Sequence, residues 1–222
     1  LDWGYRGLKQ RMGQRVDESV QYLPHHPAIV RTLKEDTSTT YHLVQYFSRS
    51  RGNFPVYQNT DVTYFPTGED FFKELKKQLL KAEHYIFMEF FIIAEGEMWG
   101  EILSILEDKV KQGVEVRVLY DGMIELSTLS PDYTQRLEKI GIKAKVFSPI
   151  SPFISTYYNY RDHRKNIIID GQVAFTGGVN LADEYINKIE RFGHWKDTAV
   201  MIEGEAVDSF LVLFLQMWSV TD

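Results

Sequence analysis

The chain has 222 residues, 44% apolar and 25% charged, ordinary proportions for one substantial α/β domain with room for an N-terminal extension. It holds no cysteine, which excludes disulfides and thiolate metal sites. Its formal charge of −6 speaks against a general nucleic-acid binder, and against strong attachment to anionic lipid unless basic residues cluster locally.

Residues 1–53 are polar and mixed in character and read as a linker or docking segment, ahead of a domain over 54–222. Pro24 and Pro27 break any early helix; Pro27 suits the start of a helix over 27–34, with a second helix over 40–48. From Asp61 the pattern becomes regular. A short strand is expected over 62–65, then a helix over 68–81 with Phe71, Leu75 and Leu79 on one face. Segment 84–93 is apolar on both faces, as a central strand is. A helix over 99–111 buries Ile102, Leu103, Leu106 and Val110 and stops at Gly113, after which Val114, Val116, Val118 and Tyr120 mark a strand. Segment 131–140 reads as a helix and 142–147 as a strand. Strands are expected again over 172–176 and 198–202, and a last helix over 205–218 carries Val207, Phe210, Leu211, Phe214, Leu215 and Trp218 on one face. Such alternation implies a mixed sheet covered by helices on both faces. No stretch reaches the roughly 20 apolar residues that span a bilayer: segment 85–94 is interrupted by Glu89, and 210–215 is too short. No signal-peptide pattern occurs.

Chemistry concentrates in Asp162-His163-Arg164-Lys165-Asn166-Ile167-Ile168-Ile169-Asp170, followed by Gly177-Gly178-Val179-Asn180. The apolar centre of this stretch reads as a strand, in which alternation sends His163 and Lys165 from the same face. A nucleophile or proton carrier then sits beside a fixed positive charge able to hold an anion, which suits phosphoryl chemistry. Asp170 has the opposite parity and begins a turn with Gly171, a place for binding backbone or bracing neighbours. Segment 148–160, rich in Pro and aromatics, suits a loop that lines an acyl-chain entrance, one that touches a membrane interface, or a satellite core. The scattered His residues, including adjacent His25 and His26, form no metal-ligand spacing, His194 reads as structural, and no nucleotide-binding glycine motif occurs.

The spacing of His163, Lys165, Asp170, Gly177, Gly178 and Asn180 resembles the HKD motif of the phospholipase D superfamily, although most members have Ser where this chain has Gly178. The surrounding stretches Phe54-Pro55-Val56-Tyr57, Glu89-Phe90-Phe91-Ile92-Ile93 and Phe192-Gly193-His194-Trp195-Lys196-Asp197 are similar to bacterial cardiolipin synthases, over about 54–218. The resemblance implies a phospholipase D-like α-β-α sandwich with a mixed central sheet, and catalytic roles for His163, Lys165 and Asp170. His163, by its N-terminal position in the two-motif pattern, is assigned as the nucleophile that forms a phosphohistidine, although one half alone does not say which motif His attacks first. Lys165 and Asn180 would bind the non-bridging phosphate oxygens, and Gly177 and Gly178 would admit close backbone approach. Asp197 would orient the His163 ring. Glu89, a carboxylate inside an apolar strand, needs a partner; bracing Arg161 and contacting a glycerol headgroup are both open.

Further expectations follow from the same resemblance. The activity is phosphatidyl transfer, two phosphatidylglycerol giving cardiolipin and glycerol, with no cofactor or metal and no nucleic-acid partner. The enzyme would act at the cytoplasmic membrane of a bacterium, its catalytic region cytoplasmic, reached through upstream helices. A second HKD half is absent from this sequence, so the chain reads as the first catalytic half of a longer protein, or as a homodimer subunit. Two rivals stay open: another phospholipase D-type activity (lipid hydrolysis or nuclease), and a non-catalytic half-domain that needs its partner, as the wide apolar face of the last helix suggests.

Overall fold

A computed structural model of the chain describes residues 17–35, 40–49, 54–149, 161–191 and 193–221. Its elements in chain order are α1 (Pro27–Glu35), α2 (Thr40–Arg49), β1 (Thr60–Phe65), α3 (Gly68–Lys81), β2 (Tyr85–Phe90), α4 (Glu97–Lys111), β3 (Glu115–Asp121), α5 (Tyr133–Lys139), β4 (Lys143–Phe147), β5 (Lys165–Ile169), β6 (Val173–Gly177), β7 (Ala199–Gly204) and α6 (Val207–Val220). Most of segment 148–160, and with it the expected entrance loop, lies outside the described residues.

Local chemistry accounts for the helices. The Thr67 hydroxyl accepts from the Asp70 N–H and caps α3, whose first turn carries Glu69 and Asp70 against the positive end of the helix dipole. Its spacing buries Phe71, Phe72, Leu75 and Leu79. The start of α4 has no cap of its own: Asp183, far along the chain, accepts from the N–H groups of Glu97 (2.9 Å) and Met98 (2.8 Å). That borrowed cap explains why α4 begins two residues before the predicted position.

The strands form one seven-stranded sheet in the order β1-β7-β6-β5-β2-β3-β4. β2 is parallel to β3, and β3 to β4, while all pairings from β2 through β5, β6 and β7 to β1 are antiparallel. The sheet is therefore mixed, and β2 is where parallel and antiparallel halves meet. Ile86, Met88 and Phe90 face the layer that contains α3 and α4, with Leu75, Leu79, Trp99, Ile102 and Leu106. Phe87, Leu119, Ile168 and Ala174 face the other side, where α6 contributes Phe214 and Met217. Helices thus cover both faces. The predicted central strand is β2, shorter than the apolar run because Phe91 leaves the ladder and Ile93 makes only an isolated bridge to Leu181.

The N-terminal segment touches the domain through Gln216 Nε2, which donates to Ser19 Oγ (2.7 Å), and through His26, whose Nε2 lies 3.3 Å from Glu205 Oε2. Val20 and Leu23 are buried. No described helix is long and apolar enough to cross a membrane.

Candidate active site

The carboxyl ends of β2, β3 and β6 and the amino ends of β5 and β7 come together at one edge of the sheet: Phe90 pairs with Lys165, Asn166 with Thr176, and Gly177 with Ala199. This edge lies at the point where strand direction changes, a common ligand position in open α/β sheets. His163 is exposed there, and its ring lies 4.7 Å from that of Phe91, centroid to centroid. β5 starts at Lys165, so His163 precedes the strand instead of lying in it. The two side chains still converge. Lys165 is 5% exposed, its Nζ donates to the His163 carbonyl (2.7 Å), and it sits 5.4 Å from the Phe91 ring centre. Burial lowers the pKa of this ammonium, opposed by the charges of Asp162 and Asp197.

Gly177 and Gly178 bring backbone to the same edge. Gly177 has φ +155, and a Cβ there would fall 2.5 Å from the Thr198 carbonyl oxygen. A Cβ on Gly178 would overlap Asp197 Oδ1, so the carboxylate occupies the space a side chain would need. Asp197 accepts from the N–H of its neighbour Thr198 (2.8 Å), and among the described residues no hydrogen bond joins it to His163. Proximity to Lys165 is the electrostatic link that Asp197 makes to the motif.

Two motif residues are held by the protein's own hydrogen bonds. Asp170 is at the opposite end of β5, where its carboxylate accepts from the N–H groups of Glu83 (2.7 Å), His84 (2.8 Å) and Tyr85 (2.7 Å). It braces the entry to β2 and does not reach the reacting edge, which corrects its grouping with the catalytic residues. Asn180 is 2% exposed; its Oδ1 accepts from the Ile92 N–H (3.0 Å) and its Nδ2 donates to the Tyr185 hydroxyl (2.8 Å). Each end of the amide has a partner within the protein, as buried polar groups require, so in this structure Asn180 ties the Ile92 backbone to Tyr185.

Beneath His163 lies a charged knot that sequence reasoning largely missed. Asp121, fully buried at the end of β3, accepts from the Asp162 N–H (2.8 Å) and from Arg161 Nη1 (3.1 Å). Asp162 accepts from Arg164 Nε (2.9 Å) and from the Arg164 N–H (3.3 Å). Glu89, also fully buried, accepts from Asn166 Nδ2 (3.1 Å) and lies 2.9 Å from Arg164 Nη2. That last contact lacks hydrogen-bond angles and leaves Oε1 without a hydrogen-bonding donor. Glu89 therefore pairs with Arg164, not with Arg161 as one of the two open readings had it. Desolvation, then hydrogen bonding and repulsion from Asp162, push its carboxyl up to about 9 against the opposing pull of Arg164 and Asn166. The available signals were the acids flanking the motif: Asp162 beside His163, and Asp121 closing an apolar strand. Among the described residues, no His, Asp and Glu side chains cluster in a geometry able to hold a metal.

Comparison with known proteins gives the chain a family and agrees with its fold. The family model described as "Cardiolipin synthase, PLD-like domain" matches residues 75–218. Over its full length the chain is 67% identical to an uncharacterized protein of Streptococcus mutans serotype c, covering 48% of it. It is 40% identical to a cardiolipin synthase of Halalkalibacterium halodurans over 75% of this chain and 33% of that protein. To cardiolipin synthase 2 of Bacillus cereus the identity is 34%, over 98% of this chain and 43% of that one. The chain thus spans less than half the length of these relatives. Similar solved structures include Nuc, a phospholipase D family member from Salmonella typhimurium (TM-score 0.56, 21% identity, 73% of this chain and 95% of that one). Phosphatidylserine synthase from Haemophilus influenzae is another (TM-score 0.55, 17% identity, 69% of this chain and 35% of that one). Matched by the family model over most of its length, the chain belongs to the PLD-like domain family of the cardiolipin synthases.

Proposed function

We propose that this chain forms one half of a phosphatidyltransferase active site, converting two phosphatidylglycerol molecules into cardiolipin and glycerol. The observation that supports it is the pairing at one sheet edge of an exposed imidazole, His163, with a largely buried ammonium, Lys165. An imidazole nitrogen of His163 attacks the phosphorus of a donor phosphatidylglycerol, the P–O bond to the headgroup glycerol breaks, and a second imidazole protonates the departing oxygen. That second group comes from another HKD half, in the same protein or in a second copy. The phosphohistidine is then attacked by a hydroxyl of the acceptor phosphatidylglycerol, which gives its proton to the same second imidazole, and His163 is released.

Lys165 supplies positive charge where the non-bridging oxygens gain negative charge in the transition state. The low polarity of its surroundings strengthens that interaction relative to water. Gly177 and Gly178, lacking side chains, leave room for the Thr198 carbonyl and the Asp197 carboxylate beside this edge. Because the substrates are bilayer lipids, the reaction takes place at a membrane surface, and the acceptor hydroxyl must arrive from that surface in preference to water.

The test incubates the full-length protein and its His163→Ala variant with phosphatidylglycerol vesicles, and quantifies cardiolipin, phosphatidic acid and free glycerol by mass spectrometry. Cardiolipin and glycerol in equal amounts from the parent alone support the reading. Phosphatidic acid in place of cardiolipin makes water the acceptor and the enzyme a lipid hydrolase. Equal cardiolipin from parent and variant removes His163 from the chemistry.

A further inference from the structure

Three buried carboxyls, Glu89, Asp121 and Asp162, share the space under His163 with the guanidinium groups of Arg161 and Arg164. Arg161 neutralises Asp121, and Arg164 reaches both Glu89 and Asp162. On the other side of β5, Lys165 feels both Asp162 and Asp197. Four carboxyls therefore meet three fixed cations, and two of the carboxyls, Glu89 and Asp162, converge on the one guanidinium of Arg164, which lies 2.9 Å from each. Two ionised carboxylates buried together on a single cation repel one another, whereas one proton shared between them turns that repulsion into a hydrogen bond. Glu89 is the better place for the proton. It is fully buried, its Oε2 already accepts from Asn166, and its Oε1 receives no hydrogen bond. Asp162, by contrast, accepts from the backbone and side chain of Arg164, as a carboxylate does.

We infer that Glu89 is a positioning residue for His163, held as a neutral carboxylic acid that donates a hydrogen bond to Asp162 and so locks the segment on either side of the nucleophile. Asp162 is tied below by Asp121 and sideways by Arg164, and His163 is the single residue between these anchored neighbours. Loss of the shared proton places a second negative charge against Asp162 and loosens the segment from beneath. The groups facing Glu89 are Asp162 and Arg164 of the motif segment and Asn166 of β5, with Asp121 and Arg161 next along that edge. From β3 its register partner is Leu119, and α6, on the same face of the sheet, carries one ionisable residue, Asp208, in its first turn.

The inference rests on His163 as the nucleophile proposed above, so the experiment separates the two. Infrared difference spectra of the folded chain at neutral pH, parent against Glu89→Gln, are expected to show a protonated-carboxyl band in the parent that the variant lacks; this needs no activity at all. In the cardiolipin assay with the full-length protein, Glu89→Gln, an uncharged isostere that can still donate, is expected to stay within about threefold of the parent. Its activity should also no longer fall at alkaline pH. Glu89→Ala, with no donor, is expected to lose on the order of 10- to 100-fold, chiefly in kcat. Absence of the infrared band, or a folded Glu89→Gln as impaired as Glu89→Ala, overturns the inference. If His163→Ala is as active as the parent, the transferase reading fails instead, and the infrared result still decides the state of Glu89.

Discussion

The carboxylate of Asp197 fills the volume that a side chain at position 178 would occupy, so that Gly178 and Asp197 are matched to one another across the β6–β7 edge. Gly178→Ala should therefore displace Asp197, weakening both its contact with the Thr198 N–H and its electrostatic link to Lys165. A loss of about 1–3 kcal/mol is expected, the usual cost of overpacking. The double variant Gly178→Ala with Asp197→Gly should recover part of that loss. Urea denaturation of the four proteins of the cycle measures the coupling, and strict additivity would mean that the two positions do not compete for space.

Asp170 is expected to matter for folding and not for chemistry. Asp170→Ala removes the acceptor of three backbone N–H groups at the entry to β2, a loss of about 1–3 kcal/mol of stability. Turnover per folded molecule should be unchanged. A variant of normal thermal midpoint but lost activity would return Asp170 to the catalytic group.

Asn180 gives a parallel contrast with a different outcome. Asn180→Ala leaves the Ile92 N–H and the Tyr185 hydroxyl without their partner in a buried site, at about 1–3 kcal/mol for each group left unpaired. Thermal melting should fall sharply. A raised KM with an unchanged melting temperature would mark the amide as a phosphate ligand.

Lys165 reverses that relation. Its ammonium is held below the ordinary lysine pKa by burial, so the folded state disfavours the charge it carries at neutral pH. Lys165→Met removes this penalty and should melt at or above the temperature of the parent. Cardiolipin formation should drop by roughly 10²- to 10³-fold, the range for removing one donor to a charged transition state. A lower melting temperature would show that the contacts to the His163 carbonyl and Phe91 outweigh desolvation.

Glu89 should leave a signature in the pH dependence of stability. Its carboxyl is raised from the ordinary glutamate value to about 9, so between these limits the folded chain holds a proton that the unfolded chain has released. The folded state binds more protons across that window, and stability therefore falls as pH rises through it, levelling off above about 9. The slope from this one group is at most about 1.4 kcal/mol per pH unit. Glu89→Gln, which does not titrate, should remove that part of the slope in denaturation series run from pH 5 to pH 9. An identical slope in both proteins would mean that Glu89 is ionised in the folded state.

The helix Gly68–Lys81 could be read from the sequence to its ends, because everything that specifies it is local: a Thr67 cap, acids in the first turn, and an apolar repeat. Helix Glu97–Lys111 was legible in its body but not at its start, since its cap is Asp183. The same distinction runs through the site. His163 and Lys165 sit two residues apart and are joined by a local bond, so their pairing was legible in the spacing of the motif. Glu89 was visible as an acid out of place in an apolar strand, yet its partners Arg164 and Asn166 were not, nor was the convergence of Asp121 on Asp162.

Asp170 and Asn180 sit at motif positions, yet Asp170 accepts only from residues more than eighty positions earlier, and Asn180 joins the equally distant Ile92 to nearby Tyr185. Periodicity and spacing act through bonds between near neighbours, and by themselves they determined the elements, the mixed-sheet class and the motif edge. Which buried acid meets which base depends on strands brought side by side, where desolvation forces every polar group to find a partner. That selection was made only by the tertiary structure.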